Sequence, residues 1–248
     1  MTSFDARRAA AELRRRLDEH ADPVRAANEQ AYLKHQVPHL GVRVPVVRSS
    51  VRALLRDEPA LSGHDPTTAL VGALWRRPTF EERLAAVEVL AARPGLVTAA
   101  DLPLLERMLR ESGPWALVDS LAGDVVGRLV LRDPDEATLT GTLERWVVDD
   151  DFWIRRSALL SQLGRLRRAE ATDVDFAPFA RWADTMLDEK EFFVRKAIGW
   201  VLRETSKRHP ALVVDYVRPR AARMSGVTFR EAVRRLPQDR ADELRGLR

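Results

Sequence analysis

The sequence predicts an all-α protein, built as a solenoid of short helical repeats in a single domain over residues 1–248. Apolar residues recur at helical spacing almost throughout, as at Leu84, Val87 and Leu90, and sustained strand-like alternation is hard to find. Turn signals interrupt this pattern at short intervals, which leaves helices of roughly 10 to 20 residues. The segments between these signals also resemble one another, which favours a repeat architecture.

The turn signals define the predicted helices in chain order. Asp133-Pro134 is expected to open a helix, with Asp133 as the N-cap and Pro134 at the first helical position, where a missing N–H costs nothing. Ala177-Pro178 is expected to separate two helices. The complete set of signals is Asp22-Pro23, Gly41 through Pro45, Asp65-Pro66, Arg77-Pro78-Thr79, Pro94-Gly95, Gly113-Pro114, Asp133-Pro134, Asp150-Asp151, Ala177-Pro178, His209-Pro210 and Ser225-Gly226.

An internal repeat appears at the starts of several predicted helices. Residues 151–158 superpose on residues 191–198 with a shift of 40. The helix-opening aromatics Phe80, Trp115, Trp153 and Phe193 are spaced by 35, 38 and 40 residues. A period near 40 with two helices per unit is typical of a HEAT-type solenoid, whose curvature creates a concave groove lined by one helix of each pair. About six such units fill the chain.

One position in this repeat frame stands out for its charge. Asp119 occupies the place that Leu84, Ser157 and Ala197 hold in the other units. Trp115 lies one helical turn earlier on the same face, so the indole and the carboxylate can border a common space. Asp119 could equally be a solvated charge or the partner of a nearby arginine.

Charge and composition narrow the possible functions. The chain has no cysteine, which excludes disulfides, thiolate nucleophiles and cysteine-based metal sites. No phosphate-cradling glycine loop, zinc-protease motif or serine nucleophile elbow occurs, and the five scattered histidines do not indicate a metal site. No metal and no cofactor are therefore expected. The segment from Arg195 onward contains 14 Lys and Arg against six Asp and Glu, which suggests a polyanionic partner.

Neither a secretory signal nor a membrane span is recognisable, because the N-terminal residues are charged and the most apolar stretch contains Asp119, Asp124 and Arg128. A cytoplasmic monomer is expected.

Three of the six tryptophans have charged companions at helical spacing, whereas core packing is the ordinary role of a tryptophan. Trp115 is paired with Asp119, Trp153 with Arg156, and Trp200 with both Lys196 and Arg203. Aromatic rings interleaved with cations suit a surface that meets sugar, base and phosphate. Trp153 and Phe193 are nevertheless expected to be mostly buried between repeats.

These residues carry a resemblance to a known family. The stretch Glu191-Phe-Phe-Val-Arg-Lys-Ala-Ile-Gly-Trp-Val-Leu-Arg-Glu204 resembles the most distinctive motif of the AlkD-like DNA alkylation repair glycosylases. Weaker matches occur in family order, and together they cover about residues 32–235. They are Tyr32-Leu-Lys-His35 with Leu40-Gly-Val42 and Pro45, Trp115-x-x-x-Asp119-Ser120, Phe152-Trp-Ile-Arg-Arg156 and Arg230-Glu-Ala-Val233.

The resemblance implies a base-excision repair enzyme whose concave face holds duplex DNA and removes N3- or N7-alkylated purines. Asp119 would be the catalytic carboxylate, with Trp115 and Trp200 as the aromatic walls around the deoxyribose. DNA contacts would come from Tyr32, Lys34, Arg156, Lys196 and Arg203. In that arrangement Asp119 faces an open groove flanked by Trp115 and Trp200, with Arg156 on the helix between them.

The sequence departs from the family pattern beside Trp115. Pro114 and Ala116 stand where the family commonly has Trp and Asp, and Pro114 is expected to initiate the helix. The alternative to a glycosylase is a non-catalytic HEAT-repeat scaffold that binds DNA or protein. The joint presence of Trp115, Asp119, Arg156 and Trp200 favours the enzyme.

Overall fold

The computed structural model describes residues 4–134 and 136–248, and these residues form helices and connecting turns without a strand. The predicted all-α fold is confirmed. The chain divides into two compact units, Met1–Leu121 and Ala122–Arg248. No helix in the described residues is long and apolar enough to span a bilayer.

The first unit is a two-layer arrangement of helices. In one layer α1 packs against α4; in the other, α3 packs against α5 and α5 against α7. Leucines such as Leu13, Leu70 and Leu105 are fully buried between the layers. The helices are α1 Ala6–Asp18, α2 Pro23–Leu33, α3 Val44–Asp57, α4 His64–Trp75, α5 Phe80–Ala92, α6 Leu102–Glu111 and α7 Trp115–Ser120, with 3₁₀ turns at Pro59–Ser62 and Ala99–Asp101.

The second unit repeats this layered arrangement. Helices α10, α13 and α15 pack in succession, and so do α12, α14 and α16. Trp146 and Phe179 are its largest fully buried side chains. The helices are α8 Gly127–Arg132, α9 Ala137–Val147, α10 Phe152–Leu160, α11 Leu163–Leu166, α12 Asp173–Thr185, α13 Phe192–Ser206, α14 Pro210–Val217, α15 Gly226–Val233 and α16 Gln238–Arg245, with a 3₁₀ turn at Arg218–Arg220. Alternate helices that pack in succession are the arrangement expected of helical repeats.

The helix starts agree with the repeat frame. Helices α5, α7, α10 and α13 begin at Phe80, Trp115, Phe152 and Phe192, within one residue of the aromatics that set the period. Asp151 caps α10 by accepting a hydrogen bond from the Trp153 N–H. Glu191 caps α13 in the same way, through the Phe193 N–H. The equivalent caps explain why two helices with similar first turns begin at equivalent positions.

Two sequence predictions at prolines are wrong. Asp133 follows the end of α8 instead of opening the next helix, and Glu136 caps α9 by accepting from the N–H groups of Thr138 and Leu139. Pro178 lies inside α12 and does not separate two helices. The Thr172–Asp175 capping box starts that helix, and burial of Phe176, Phe179 and Trp182 holds it, so tertiary packing outweighs the hydrogen bond lost at the proline.

A π-helical turn, Leu121–Val126, directly follows the predicted catalytic helix. Helix α7 is only six residues long, and Asp119 lies in its last turn. Single π-helical turns within α-helices are found frequently at functional sites, because the wider turn changes the direction of nearby side chains. The irregular backbone therefore marks the neighbourhood of Asp119 as a candidate site.

Candidate functional site

The partial exposure of three tryptophans separates them from the other three. Trp75, Trp146 and Trp182 are buried in the core. Trp115, Trp153 and Trp200 are half-buried, and these are the tryptophans that have charged companions at helical spacing. A large ring left partly in water is available to a ligand. The half-buried tryptophans are therefore the candidates for binding.

In the first unit the structure brings Tyr32 to Trp115. The two rings meet edge to face, with centroids 6.1 Å apart and planes at 75°. Tyr32 is 72% exposed, and Trp115 and Asp119 are partly exposed. Lys34 ends α2 with a left-handed backbone (φ 51°) and an exposed side chain. Pro114 directly precedes α7, as predicted. The result is an aromatic pair with a carboxylate one helical turn further along α7.

The loop between α2 and α3, residues 34–43, is fixed to the start of α5. The Pro38 carbonyl accepts a hydrogen bond from the Phe80 N–H (2.8 Å), and the His39 ring stacks on Phe80 with centroids 4.7 Å apart. The buried carboxylate of Glu81 accepts from the N–H groups of Leu40 (2.8 Å), Gly41 (2.7 Å) and Val42 (3.1 Å). Besides the contacts with Phe80, the loop that follows Tyr32 is thus held by three hydrogen bonds to the buried Glu81 carboxylate.

Sequence reasoning missed Glu81. An acidic residue in the first turn of a helix reads as a partner of the helix dipole, and nothing local shows that its side chain reaches a distant loop. The complete burial of Glu81 became visible only in the structure. Buried charges are almost always hydrogen-bonded, and the three N–H groups of the loop provide the hydrogen bonds that the buried Glu81 carboxylate needs.

His35 connects the same loop to the turn before α7. Its ring lies where a Cβ on Gly113 would be, only 2.3 Å from that ideal position, and Gly113 itself has φ +74°. The His35 Nδ1 accepts a hydrogen bond from the Val37 N–H (3.0 Å), while the His39 Nδ1 lies 2.9 Å from the Val37 carbonyl. Because a carbonyl can only accept, the His39 Nδ1 must donate. Burial, with Arg83 and His39 nearby, lowers the pKa of His35.

The α6 end of this turn is also tied to the core of the first unit. Arg83 donates to the Glu111 carbonyl (3.0 Å) and lies over the Trp75 ring. The Trp75 indole N–H donates to the Glu111 carboxylate (2.8 Å). Contacts on both sides of Gly113 thereby set the position of Trp115, the first residue of α7.

In the second unit the structure brings Arg156 to Trp200. The Arg156 guanidinium lies 5.9 Å from the Trp200 ring centre and 5.8 Å from the Phe193 ring centre, and it donates to the Phe193 carbonyl (2.5 Å). The side chain is buried, with 3% of its residue surface exposed. The predicted DNA contact of Arg156 stays a prediction, and the structure adds a second role, since Arg156 joins α10 to α13.

Trp153 and Phe193 lie mostly buried, as predicted, although neither is sealed in the core. They form an aromatic cluster with Phe152 and Phe192, whose ring centroids lie 4.5 to 6.2 Å apart. The cluster forms because α10 and α13 each open with two consecutive aromatics and pack side by side. Four rings at one edge cover one another but leave Phe192 49% exposed.

Lys196 and Arg203 both reach Glu231 on α15. The Lys196 ammonium lies 3.6 Å from that carboxylate, and the Arg203 guanidinium forms an ion pair with it. Lys196 also lies over the Phe192 ring at 5.8 Å. Their predicted contact with DNA stays a prediction, and a phosphate would have to share these cations with Glu231.

The comparisons with known proteins now identify the family. The family model described as DNA alkylation repair enzyme matches residues 13–236. This chain belongs to that family. The resemblance of residues 32–235 to the AlkD-like enzymes is thereby confirmed, and the family implies a role in DNA repair. Comparison of the sequence with curated proteins gives no significant match.

Two solved structures support the fold of this DNA alkylation repair family member. A structure described as a predicted DNA alkylation repair enzyme from Enterococcus faecalis superposes with a TM-score of 0.76 at 24% identity, covering 88% of this chain and 98% of that one. The crystal structure of AlkD2 from Streptococcus mutans gives a TM-score of 0.51 at 13% identity, covering 98% and 97%. At these identities the likeness concerns the fold.

Proposed function

We propose that this protein is a monofunctional DNA glycosylase of base-excision repair, which hydrolyses the N-glycosidic bond of N3- or N7-alkylated purines in duplex DNA. The observation that carries the proposal is the edge-to-face contact between Tyr32 and Trp115. Trp115 lies one helical turn before Asp119 on α7, and this helix continues into a π-helical turn. Family membership provides the DNA repair context. We further propose that it acts as a cytoplasmic monomer without metal or cofactor.

The chemistry of the substrate matches these residues. Alkylation at N3 or N7 makes the purine cationic, so the base leaves as a neutral group and needs no general acid. As the C1′–N bond breaks, positive charge develops on the deoxyribose. A fixed carboxylate stabilises that charge and can orient the water that attacks C1′. Asp119 would act in this way, and no lysine takes its place, which disfavours a Schiff-base lyase.

The aromatic residues would contribute to the same charge. The negative face of an indole attracts a cation, and this attraction is strengthened where water is excluded. Trp115 and Trp200 would lie beside the sugar, and Tyr32 would hold the Trp115 ring in its orientation. Lys34, Arg156, Lys196 and Arg203 would contribute positive charge for the phosphate backbone.

The test is release of 7-methylguanine and 3-methyladenine from methylated duplex DNA under single-turnover conditions, with the parent and two charge-matched variants. Asp119→Asn should lose about 10² or more in rate, the scale of one preorganised electrostatic group, and should bind DNA at least as well as the parent. Asp124→Asn removes the same charge at an exposed position five residues later and should cleave normally.

Two results would contradict the proposal. One is an Asp119→Asn variant as fast as the parent, which would remove the catalytic assignment. The other is a parent protein that binds duplex DNA but releases no alkylpurine even in enzyme excess. That second result would favour the alternative function, a non-catalytic scaffold that binds DNA or protein.

A further inference from the structure

A pocket of about 560 Å³ opens in the first unit between α1, α4 and α6. Its volume lies within the range of roughly 300 to 1,000 Å³ that is typical of ligand sites. Three arginines line its wall: Arg7 on α1, Arg76 directly after the end of α4, and Arg107 on α6. None of these helices carries a residue that the sequence placed in the glycosylase site.

The three arginines have no carboxylate partner within the part of the chain that the structure describes. All three are exposed, and no ion pair or side-chain hydrogen bond is formed by any of them among residues 4–134 and 136–248. Their neighbours on the same helices behave differently. Arg8 pairs with Glu58 at 2.6 Å, and Arg110 pairs with Glu106 at 2.8 Å. The pocket therefore brings together three arginines whose charges no described carboxylate pairs with.

The remainder of the wall offsets only part of this positive charge. Asp5 is the acidic residue on the wall, and its carboxylate is occupied as the N-cap of α1, accepting from the N–H groups of Arg7 and Arg8 at 3.0 Å. On α4 the wall is made of small residues, Ala69, Gly72 and Ala73, which leave space for a ligand between the guanidinium groups.

We propose that Arg7, Arg76 and Arg107 form a second anion site that binds phosphate groups of a DNA backbone. A guanidinium offers a planar fork of donors that matches phosphate oxygens in pairs, and it stays charged at every physiological pH. Three guanidinium groups from separate segments of the chain around an open pocket suit the successive phosphates of a strand. The choice of DNA rests on the repair family and does not depend on the excision chemistry, so the two proposals can fail separately.

The experiment compares two double variants of the full-length protein for binding to a short undamaged duplex across a salt series. Arg76→Gln/Arg107→Gln removes two charges from the pocket. Arg52→Gln/Arg56→Gln removes two exposed charges from α3, outside the pocket wall, and serves as the matched control. Thermal unfolding of both variants confirms that each is folded. Release of methylated purines at saturating enzyme is measured in parallel.

The pocket variant should bind the duplex about tenfold more weakly, or more, at low salt, as expected for two lost charge-assisted contacts. The slope of log affinity against log salt should flatten by about two units. The control should stay within about twofold of the parent. If the parent releases no alkylpurine while the pocket variant still shows these changes, the glycosylase proposal fails and the anion site stands.

Other outcomes would overturn the anion site as proposed. The first is a pocket variant that binds the duplex like the control pair. The second comes from titration with inorganic phosphate: if the pocket variant loses phosphate binding but keeps full duplex affinity and salt slope, the pocket takes a free phosphate and not a DNA backbone. A parent that does not bind duplex DNA at all would also refute it.

Discussion

The guanidinium of Arg156 lies over the Trp200 ring at 5.9 Å, so a buried cation packs against a half-buried indole. The same guanidinium donates to the Phe193 carbonyl, at the first turn of the helix that carries Trp200. A charge that is buried in this way is held by hydrogen bonds and ring contacts together. Arg156 therefore contributes to the position of α13 whatever else it binds.

Arg156→Lys should destabilise the protein by about 1 to 3 kcal/mol, because an ammonium cannot reproduce the flat contact with the rings or the same donor geometry. Denaturant unfolding measures the loss. Arg181→Lys is the control: Arg181 is exposed and pairs with Glu144, so its substitution should cost less than about 0.5 kcal/mol. Equal losses in the two variants would show that Arg156 does not hold α13.

Gly113→Ala should be strongly unfavourable for two separable reasons. The positive φ of +74° costs an alanine about 1 to 2 kcal/mol, and the new Cβ would overlap the His35 ring, which lies 2.3 Å from its position. The measurement is a double-mutant cycle with His35→Ala, followed by unfolding. Removal of the His35 ring should recover the stability lost to the steric overlap and leave the loss that comes from the positive φ. An additive cycle would mean that the two residues do not constrain each other.

Gly199→Ala should loosen the contact between α13 and α15. A Cβ at Gly199 would lie 2.6 Å from the Glu231 Cβ and 2.7 Å from the Thr228 carbonyl oxygen, so the two backbones would have to separate at a cost of about 1 to 3 kcal/mol. Gly141→Ala is the matched helical control, since nothing lies within 4 Å of its Cβ position. That variant should be more stable than the parent by up to about 1 kcal/mol. Loss of stability in both variants would point to a general intolerance of alanine.

His35 and His64 should contribute to the free energy of unfolding with opposite dependences on pH. Burial lowers the pKa of His35 below 6.5, so the folded state resists its protonation, and its contribution falls as the pH drops from 6.5 through the folded value. The hydrogen bonds that the His64 ring donates to the carboxylates of Asp65 and Asp101 raise the pKa of His64, so its contribution is full below pH 6.5 and is lost as the pH rises through the folded value.

The measurement is the free energy of unfolding of His35→Gln and His64→Gln relative to the parent, between about pH 5 and 8. The stability that His35→Gln loses relative to the parent should grow as the pH rises toward 6.5. The stability that His64→Gln loses relative to the parent should shrink as the pH rises above 6.5. If the stability losses of the two variants changed with pH in the same direction, the two imidazoles would not lie in opposite environments.

The sequence predicted the helical class and the starts of four helices because both depend on local signals. Capping residues and first-turn aromatics are read directly at Phe80, Trp115, Phe152 and Phe192. The repeat frame also brought Trp115 and Asp119 together, since both lie on one short helix. These features need no knowledge of how distant segments pack.

Contacts between distant segments could not be read in this way. Tyr32 meets Trp115 where Glu81 and His35 hold the loop that follows Tyr32, and neither role leaves a local pattern in the sequence. Helical spacing placed Arg156 on the correct helix, but spacing does not reveal that a guanidinium is buried against rings. For the same reason the sharing of Glu231 by Lys196 and Arg203 became visible only in the structure.

The Val37 peptide, which serves both His35 and His39, fixes the two imidazoles in opposite tautomers. Its N–H requires an unprotonated Nδ1 on His35, and its carbonyl requires a protonated Nδ1 on His39. The two rings should therefore give distinct ¹⁵N resonance patterns, one for each neutral form. Because His35 lies against the turn that leads to Trp115, its nitrogen signals would report the state of that turn in solution.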